Sequence, residues 1–283
     1  MYSGVSLSSG AIRGIYQLGA LHAAQINGSL KNVKVWAGTS VGAVIAMLMA
    51  IGWSAMDLFT HICTDDINKH TNLANIDINN ALKDWGMFDN IDLRTYVSKM
   101  ILQKWGGIPT FEELHQAGIT FVCTAFKIKS HHPRVYFSYE THPKMSVLDA
   151  VMLSVNIPMI FKAINYEGDY YIDGGVFDLN PANHITKYIQ QHEKILSVSL
   201  DLRSYNDDCS VNSLMDYVKE LVWLSMFNQQ PVQDGPQIDN IMLDTDLSIP
   251  ISLGVNNQTK IKYFVSGLEQ GLHFLKSKNT SQN

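Results

Sequence analysis

The stretch Val35–Met47, VWAGTSVGAVIAM, sets a serine between two glycines where a short apolar strand gives way to an apolar helix. A chain can make that change within a few residues only through a very tight turn. Glycines at 38 and 42 remove the Cβ atoms that would collide with strand and helix, and the serine between them is forced into a strained backbone. Gly38, Ser40 and Gly42 therefore read as a Gly-x-Ser-x-Gly elbow. Such an elbow sets the Ser40 hydroxyl at the carboxyl end of a sheet, beside the N-terminus of the next helix, where free amides and the helix dipole favour developing negative charge. A plain turn with a serine cap would satisfy the same residues, so the rest of the chain has to distinguish the two.

The segments around this turn repeat its pattern. Gly4–Ser8 (GVSLS) reads as a buried strand, and Gly14–Gln25 places Ile15, Leu18, Leu21 and Ala24 at helical spacing. Val33–Trp36 is a second strand, followed by Val41–Ile51, a helix apolar almost all round and hence buried. Two consecutive strand–turn–helix units predict an α/β fold with a mainly parallel central sheet covered by helices on both faces.

Further along, the chain between Trp53 and Trp105 is mostly helical in pattern, with Ile91–Leu102 the clearest segment. Thr110–Glu113 opens a helix with a capping box that ends at Gly118. Strands are predicted at Ile119–Ile128, Arg134–Tyr139 and Lys194–Leu202, and a helix begins at Ser146 whose end Pro158 enforces. A last helix, near Thr259–Leu275, carries Ile261, Phe264, Val265, Leu268, Leu272 and Leu275 on one face. There is no internal repeat and no linker, so residues 1–276 are expected to form a single domain. The remainder, SKNTSQN from Ser277, has no apolar residue and is expected to be a disordered tail.

Two more stretches bear on chemistry. Leu7–Gly14 (LSSGAIRG) joins the first strand to the first helix, a junction that exposes amides to an anion. Tyr170–Pro181 (YYIDGGVFDLNP) sets Asp173 at the end of an apolar strand, before Gly174 and Gly175. Each alone is an ordinary turn, Asp-Gly being a common turn dipeptide.

Taken together and in order, SGAIRG (Ser9–Gly14), GTSVG (Gly38–Gly42) and DGG (Asp173–Gly175) resemble the motifs of the patatin-like phospholipase family, lipid acyl hydrolases with a serine–aspartate dyad. SVNIPMIFKAI (Ser154–Ile164) and DLNP are similar to that family's segments before and after the aspartate. The resemblance covers Gly4 to about Pro181 and is looser beyond, at IDNIMLDTDLSIPISL and the terminal helix. It implies a patatin-like three-layer architecture. It also implies a Ser40 nucleophile activated directly by Asp173, an oxyanion hole from the amides of Gly10 and Ala11, and supporting roles for Arg13, Gly14, Gly38, Gly42, Gly174 and Gly175. The family's first and third loop glycines are Ser9 and Ala11 here, while Gly10, Arg13 and Gly14 match. No cofactor and no metal are implied. The expected partner is a lipid or phospholipid ester, with peripheral membrane contact, and oligomeric state is left open.

Composition narrows the field. A formal charge of −5 and a pI near 6.0 argue against a nucleic-acid binder and against strong attraction to anionic membranes. Three scattered cysteines, Cys63, Cys123 and Cys209, suggest neither a disulfide framework nor a zinc motif, and the N-terminus lacks a secretory pattern. The longest apolar run, Val41–Trp53, is too short to span a bilayer. A soluble, cytoplasmic protein is expected. Two rivals stand beside the hydrolase reading. A Ser-His-Asp esterase would need a late histidine, His184, His192 or His273, near Ser40, and a non-catalytic patatin-like scaffold would bind lipid or protein with the altered glycine loop. His131 and His132 read as part of a loop rather than as metal ligands.

Overall fold

The strands form where short runs of β-branched and aromatic residues are bounded by turn formers, and their register decides where the site lies. The computed structural model describes residues 1–64, 85–201, 217, 220–221, 224, 229, 231–245 and 255–280. Part of the mostly helical stretch (65–84), Cys209, the residues after Thr245 in IDNIMLDTDLSIPISL and the last three of the expected tail lie outside them.

Among the described residues the main sheet has the order β10-β9-β1-β2-β4-β8-β7, with β5 also paired to β4. These strands are β1 (Gly4–Leu7), β2 (Val35–Thr39), β4 (Thr120–Lys127), β5 (Arg134–Phe137), β7 (Ile164–Tyr166), β8 (Asp169–Asp173), β9 (Ile195–Leu200) and β10 (Ile238–Leu243). The run from β10 to β4 is parallel, while β5, β7 and β8 add antiparallel pairs. A small parallel pair, β3 (Gly86–Phe88) with β6 (Met159–Phe161), stands apart.

Alternation along the strands sorts side chains to two faces. Val5, Leu7, Trp36, Phe121, Cys123, Leu196 and Val198 join the large core, packed under α1 (Gly14–Ile26), α2 (Val41–Ala50) and the terminal helix α8 (Asn257–Thr280). The other face is mixed. Val35, Ala37, Val122 and Ile195 pack against Ala182 and Ile185 of the short α7 (Ala182–Ile185). Ser6, Ser197 and Ser199 are buried there too and are satisfied through Asn180, whose amide nitrogen donates to both Ser197 and Ser199 at 3.0 Å while its oxygen accepts from Ser6 at 2.5 Å. Buried hydroxyls require such partners, so this network fixes the chain just after Asp173 against the sheet. The chain is thus an α/β protein with a mostly parallel central sheet flanked by helices.

The remaining helices are α3 (Ala55–Thr64), α4 (Ile91–Trp105), α5 (Phe111–Gln116) and α6 (Val147–Ser154). The capping box at Thr110 is formed in both directions with Glu113. Helix α6 ends at Ser154, four residues before Pro158, and the proline lies in the turn ahead of β6, so it does not terminate the helix.

The terminal helix corrects two expectations. Its buried face is carried by Tyr263, Phe264, Gly267, Gly271 and Leu275, whereas Ile261 and Val265 are 50% and 42% exposed. The reason is backbone contact with α1. A Cβ on Gly267 would lie 2.0 Å from the Tyr16 carbonyl oxygen, and one on Gly19 would lie 2.1 Å from that of Phe264. Helical structure also continues to Thr280, past the Ser277 at which a disordered tail was expected. Lys278 accounts for this, since its ammonium pairs with Asp234 and with the buried Asp239, both at 3.1 Å, and so ties the last turn to β10.

Because no side chain can rotate out of a backbone-to-backbone contact, Gly267→Ala must push α8 away from α1. We expect a loss of roughly 1–3 kcal/mol in denaturant unfolding, while Val265→Ala, at an exposed position of the same helix, changes stability by less than about 0.5 kcal/mol. Equal effects of the two changes would contradict this packing.

Candidate active site

Ser40 has φ +55° and ψ −127°, a conformation that costs a non-glycine residue about 1–3 kcal/mol. The surroundings hold it there. Its amide donates to the Ser154 hydroxyl at 2.9 Å, and its carbonyl accepts from the amides of Ala43 and Val44 in the first turn of α2. The two glycines of the elbow allow α2 to start on top of the sheet. A Cβ on Gly38 would lie 2.3 Å from the Gly42 carbonyl carbon, and one on Gly42 would lie 2.5 Å from the Leu7 carbonyl oxygen.

Strand register brings Asp173 to the same level. Thr39 pairs with Thr124, and the next residue of β4, Ala125, pairs with Asp173 of β8. The two residues, separated by 133 positions in the chain, therefore meet at one end of the sheet, and the Ser40 hydroxyl donates to Asp173 Oδ2 at 2.5 Å. The other carboxylate oxygen accepts from the Gly175 amide at 2.7 Å. Both residues are almost wholly buried, Ser40 at 3% and Asp173 at 1% exposure. Desolvation pushes the Asp173 carboxyl up to about 7, against the two hydrogen bonds, which pull it down. A carboxylate of that basicity, already bonded to a hydroxyl, is chemically able to take its proton near neutral pH.

The segment after α6 braces both partners. Ser154 holds the Ser40 amide, as above. Two residues on, the Asn156 carbonyl accepts from the Asp173 amide at 2.8 Å, and its side-chain amide donates to the Tyr171 carbonyl at 3.0 Å. Sequence reasoning assigned these residues no role. Their signal was the SVNIP segment, but which atoms they would meet depends on bonds spanning 114 residues for Ser154 and 15 for Asn156.

The glycine loop after β1 is also anchored at its edges. The Ser8 and Ser9 amides donate to the carbonyls of Val198 and Leu179, and Gln17 donates to the Ser8 carbonyl and hydroxyl. Among the described residues no hydrogen bond uses the amides of Gly10 or Ala11. Ala11 adopts φ +48°, and a Cβ on Gly10 would strike the Leu200 side chain at 2.0 Å. Arg13 is 2% exposed, so it is no ordinary surface arginine. Gly14 opens α1 against Val41, and Gly174 lies so near Thr124 that a Cβ would come within 2.5 Å of that residue's carbonyl oxygen. The Gly175 carbonyl accepts from the Gln229 side chain at 2.8 Å.

Ala11, Gly14 and Ser40 border a cavity of about 170 Å³. Apart from Ser40 and Tyr96 its lining, among the described residues, is aliphatic, aromatic or glycine, with the thioether of Met100. Apolar cavities of this size stay dry and take apolar guests. Among the described residues no group of three or more His, Cys, Asp or Glu could hold a metal ion, and no helix is long and apolar enough to cross a membrane.

The histidines that a Ser-His-Asp arrangement would need lie elsewhere. His184 stacks on Tyr136 with ring centroids 3.7 Å apart, and its neighbour Ile185 lies near Gly4, at the amino end of β1, opposite the end that carries Ser40. His192 and His273 are exposed.

Comparison with known proteins bears on the family and the fold. The family model for patatin-like phospholipases matches residues 5–185. A protein of Invertebrate iridescent virus 6 named "Probable lipid hydrolase 463L" is 28% identical over 253 residues, covering 87% of this chain and 83% of its own. "Uncharacterized protein R571" of Acanthamoeba polyphaga mimivirus is 26% identical over 272 residues, covering 89% and 84%. Among solved structures, VipD from Legionella pneumophila superposes with a TM-score of 0.61 at 16% identity, over 98% of this chain and 67% of that one. At that identity the superposition speaks for the fold alone.

The raised Asp173 carboxyl makes stability depend on pH in a definite direction. Its folded value, about 7, lies above the ordinary value of 3.8, so its contribution is fully present below that ordinary value, falls as pH rises toward 7 and is flat above. Asp173→Asn, neutral throughout, should therefore gain on the parent between pH 4 and pH 7.5, by an amount on the order of a few kcal/mol. Parallel stability curves for the two proteins in denaturant titrations across that range would contradict a desolvated carboxyl.

Proposed function

The chain belongs to the patatin-like phospholipase family, and from that premise we propose that it is a lipid acyl hydrolase of the phospholipase A type, with Ser40 as nucleophile and Asp173 as its base. The observation that carries this reading is the 2.5 Å hydrogen bond to a buried, basic carboxylate from the hydroxyl of Ser40, a residue that borders an apolar cavity.

In the first half of the reaction Ser40 Oγ attacks the ester carbonyl carbon as its proton passes to Asp173 Oδ2. The carbonyl π electrons move to oxygen, and the resulting oxyanion meets the amides of Gly10 and Ala11. Each such donor is worth roughly 3–4 kcal/mol to the transition state. Collapse of the intermediate breaks the ester C–O bond, and the departing alcohol takes the proton from Asp173. In the second half water gives a proton to Asp173 while its oxygen attacks the acyl-enzyme. Collapse then frees the fatty acid, and the proton returns from Asp173 to Ser40 Oγ.

The apolar cavity supports an aliphatic acyl chain as the group bound next to the reacting carbonyl, because apart from Ser40 and Tyr96 its described lining offers no partner to a polar one. Ser40's own amide is already bonded to Ser154, whereas the amides of Gly10 and Ala11 keep no partner among the described residues, which supports the loop after β1 as a source of oxyanion donors. Arg13, a buried member of that loop, has a supporting role there. The name of the iridescent virus relative, a probable lipid hydrolase, points the same way.

Labelling with a fluorophosphonate is expected to mark the parent, to vanish in Ser40→Ala and to slow in Asp173→Asn. Equal labelling of all three would remove Ser40 from the nucleophile's role. For a soluble ester, kcat/KM should rise as pH climbs through about 7 and then level, since only the ionised Asp173 accepts the proton. A break near the ordinary carboxylate range, or a flat profile between pH 5 and 9, would show that another group serves as base.

A further inference from the structure

One long wall of the cavity beside Ser40 is a helix, which fixes how far that wall reaches from the serine. One face of α2 forms its long wall through Val41, Val44, Ile45 and Leu48, spaced i, i+3, i+4 and i+7. From Val41 to Leu48 the helix advances about 10.5 Å. At that far end three elements converge. The Trp53 amide donates to the Leu48 carbonyl at 3.1 Å and its indole N–H to the Met100 carbonyl at 3.2 Å, so a single tryptophan ties the last turn of α2 to α4. Leu58 of α3 comes in just after Trp53. Leu48, Leu58 and Met100 all line the cavity and are nearly fully buried, while Ala11, Val41 and Val44, nearer the serine, and Ile62 and Tyr96, a turn away on α3 and α4, are partly exposed.

Building on the hydrolase reading above, we propose that this cavity measures the length of the acyl chain, with Leu48, Leu58 and Met100 as its floor. An extended alkyl chain advances about 1.3 Å per carbon, the projection of a C–C bond of roughly 1.5 Å. A chain laid along α2 from the Ser40-bound carbonyl therefore reaches the floor after about eight carbons. Up to that length each added methylene leaves water for an apolar wall, worth roughly a fourfold gain in kcat/KM. Beyond it, the chain must bend out past α3 and α4 or displace the floor, so the gain stops. The preferred substrate is an ester of a medium-length acyl chain, and Leu48 and Met100 are the residues that determine this specificity.

The test is a series of p-nitrophenyl esters from four to sixteen carbons, read as the ratio of kcat/KM between successive lengths within each protein, so that any general loss of activity cancels. The parent ratio should fall to one or below near eight to ten carbons. Leu48→Ala and, separately, Met100→Ala should move that point at least two carbons longer, and Leu48→Phe should move it shorter. A second readout is independent of turnover, namely the rise in Tm of Ser40→Ala protein with octanoate, dodecanoate or palmitate, which should show the same break and the same shift on adding Leu48→Ala. If esters are hydrolysed and the profile is unmoved in every floor variant, the gauge is overturned and the hydrolase reading survives. If fatty acids protect with a movable break but no ester is hydrolysed, the gauge stands and the catalytic reading falls. Protection that is absent, or indifferent to chain length and to Leu48, overturns the gauge.

Discussion

A hydroxyl and a carboxylate that share one hydrogen bond in a dry place impose most of what surrounds them. An exposed aspartate is a weak base, and an unpaired buried one is strongly penalised. Asp173 lies between these limits. Burial raises its proton affinity, while the Ser40 hydroxyl and the Gly175 amide keep the ionised form accessible. Both bonds must be held at fixed length, because losing either would move the carboxyl further from the basicity suited to neutral pH. The elbow glycines, the strand register and the bonds from the segment after α6 all follow from that requirement.

That segment deserves its place because of where it reaches. Ser154 takes the amide of one partner and Asn156 the amide of the other, so a single short stretch sets both ends of the Ser40–Asp173 bond. Below the sheet Asn180 performs a parallel task, knotting the chain after Asp173 to Ser6, Ser197 and Ser199. The aspartate turn is thus fixed on two sides. A strained serine with φ +55° persists only when its neighbours over-determine it, and here they do so through the Ser154 hydroxyl on its amide and the amides of Ala43 and Val44 on its carbonyl.

What the sequence disclosed and what it withheld divide along one line, the distance over which the cause acts. Strand–turn–helix units are local, so β1, α1, β2 and α2 could be read from apolar period and glycine placement, and the parallel sheet followed from their repetition. The three loops could be read for the same reason, although only register decides that Asp173 stands level with Ser40. The terminal helix was misjudged because apolar period measures side chains, whereas its contact with α1 is made by backbone at Gly19 and Gly267. Its buried face keeps Phe264 and Leu275 of the expected set but runs through Gly267 and Gly271, which a hydrophobicity pattern counts as nearly neutral. Its last turn was misjudged because Lys278, a polar residue in a polar run, finds Asp239 on a strand 39 residues away. Ser154 and Asn156 carried no local mark of their roles, since a serine at a helix end and an asparagine before Ile-Pro are ordinary in themselves.

Ala11 shows how a departure from a motif can be absorbed. Its positive φ is one that glycine adopts freely and alanine at a cost of roughly 1–2 kcal/mol. That cost falls on folding and is met by a scaffold that anchors the loop on both sides, through the Ser8 and Ser9 amides before it and the start of α1 after it. Alanine also loses less freedom on folding than glycine does, which returns part of the same amount. The methyl group borders the cavity and does not block the amide, which keeps no partner among the described residues. An alanine here therefore changes how much strain the fold carries, and leaves the donor that the proposed oxyanion hole requires.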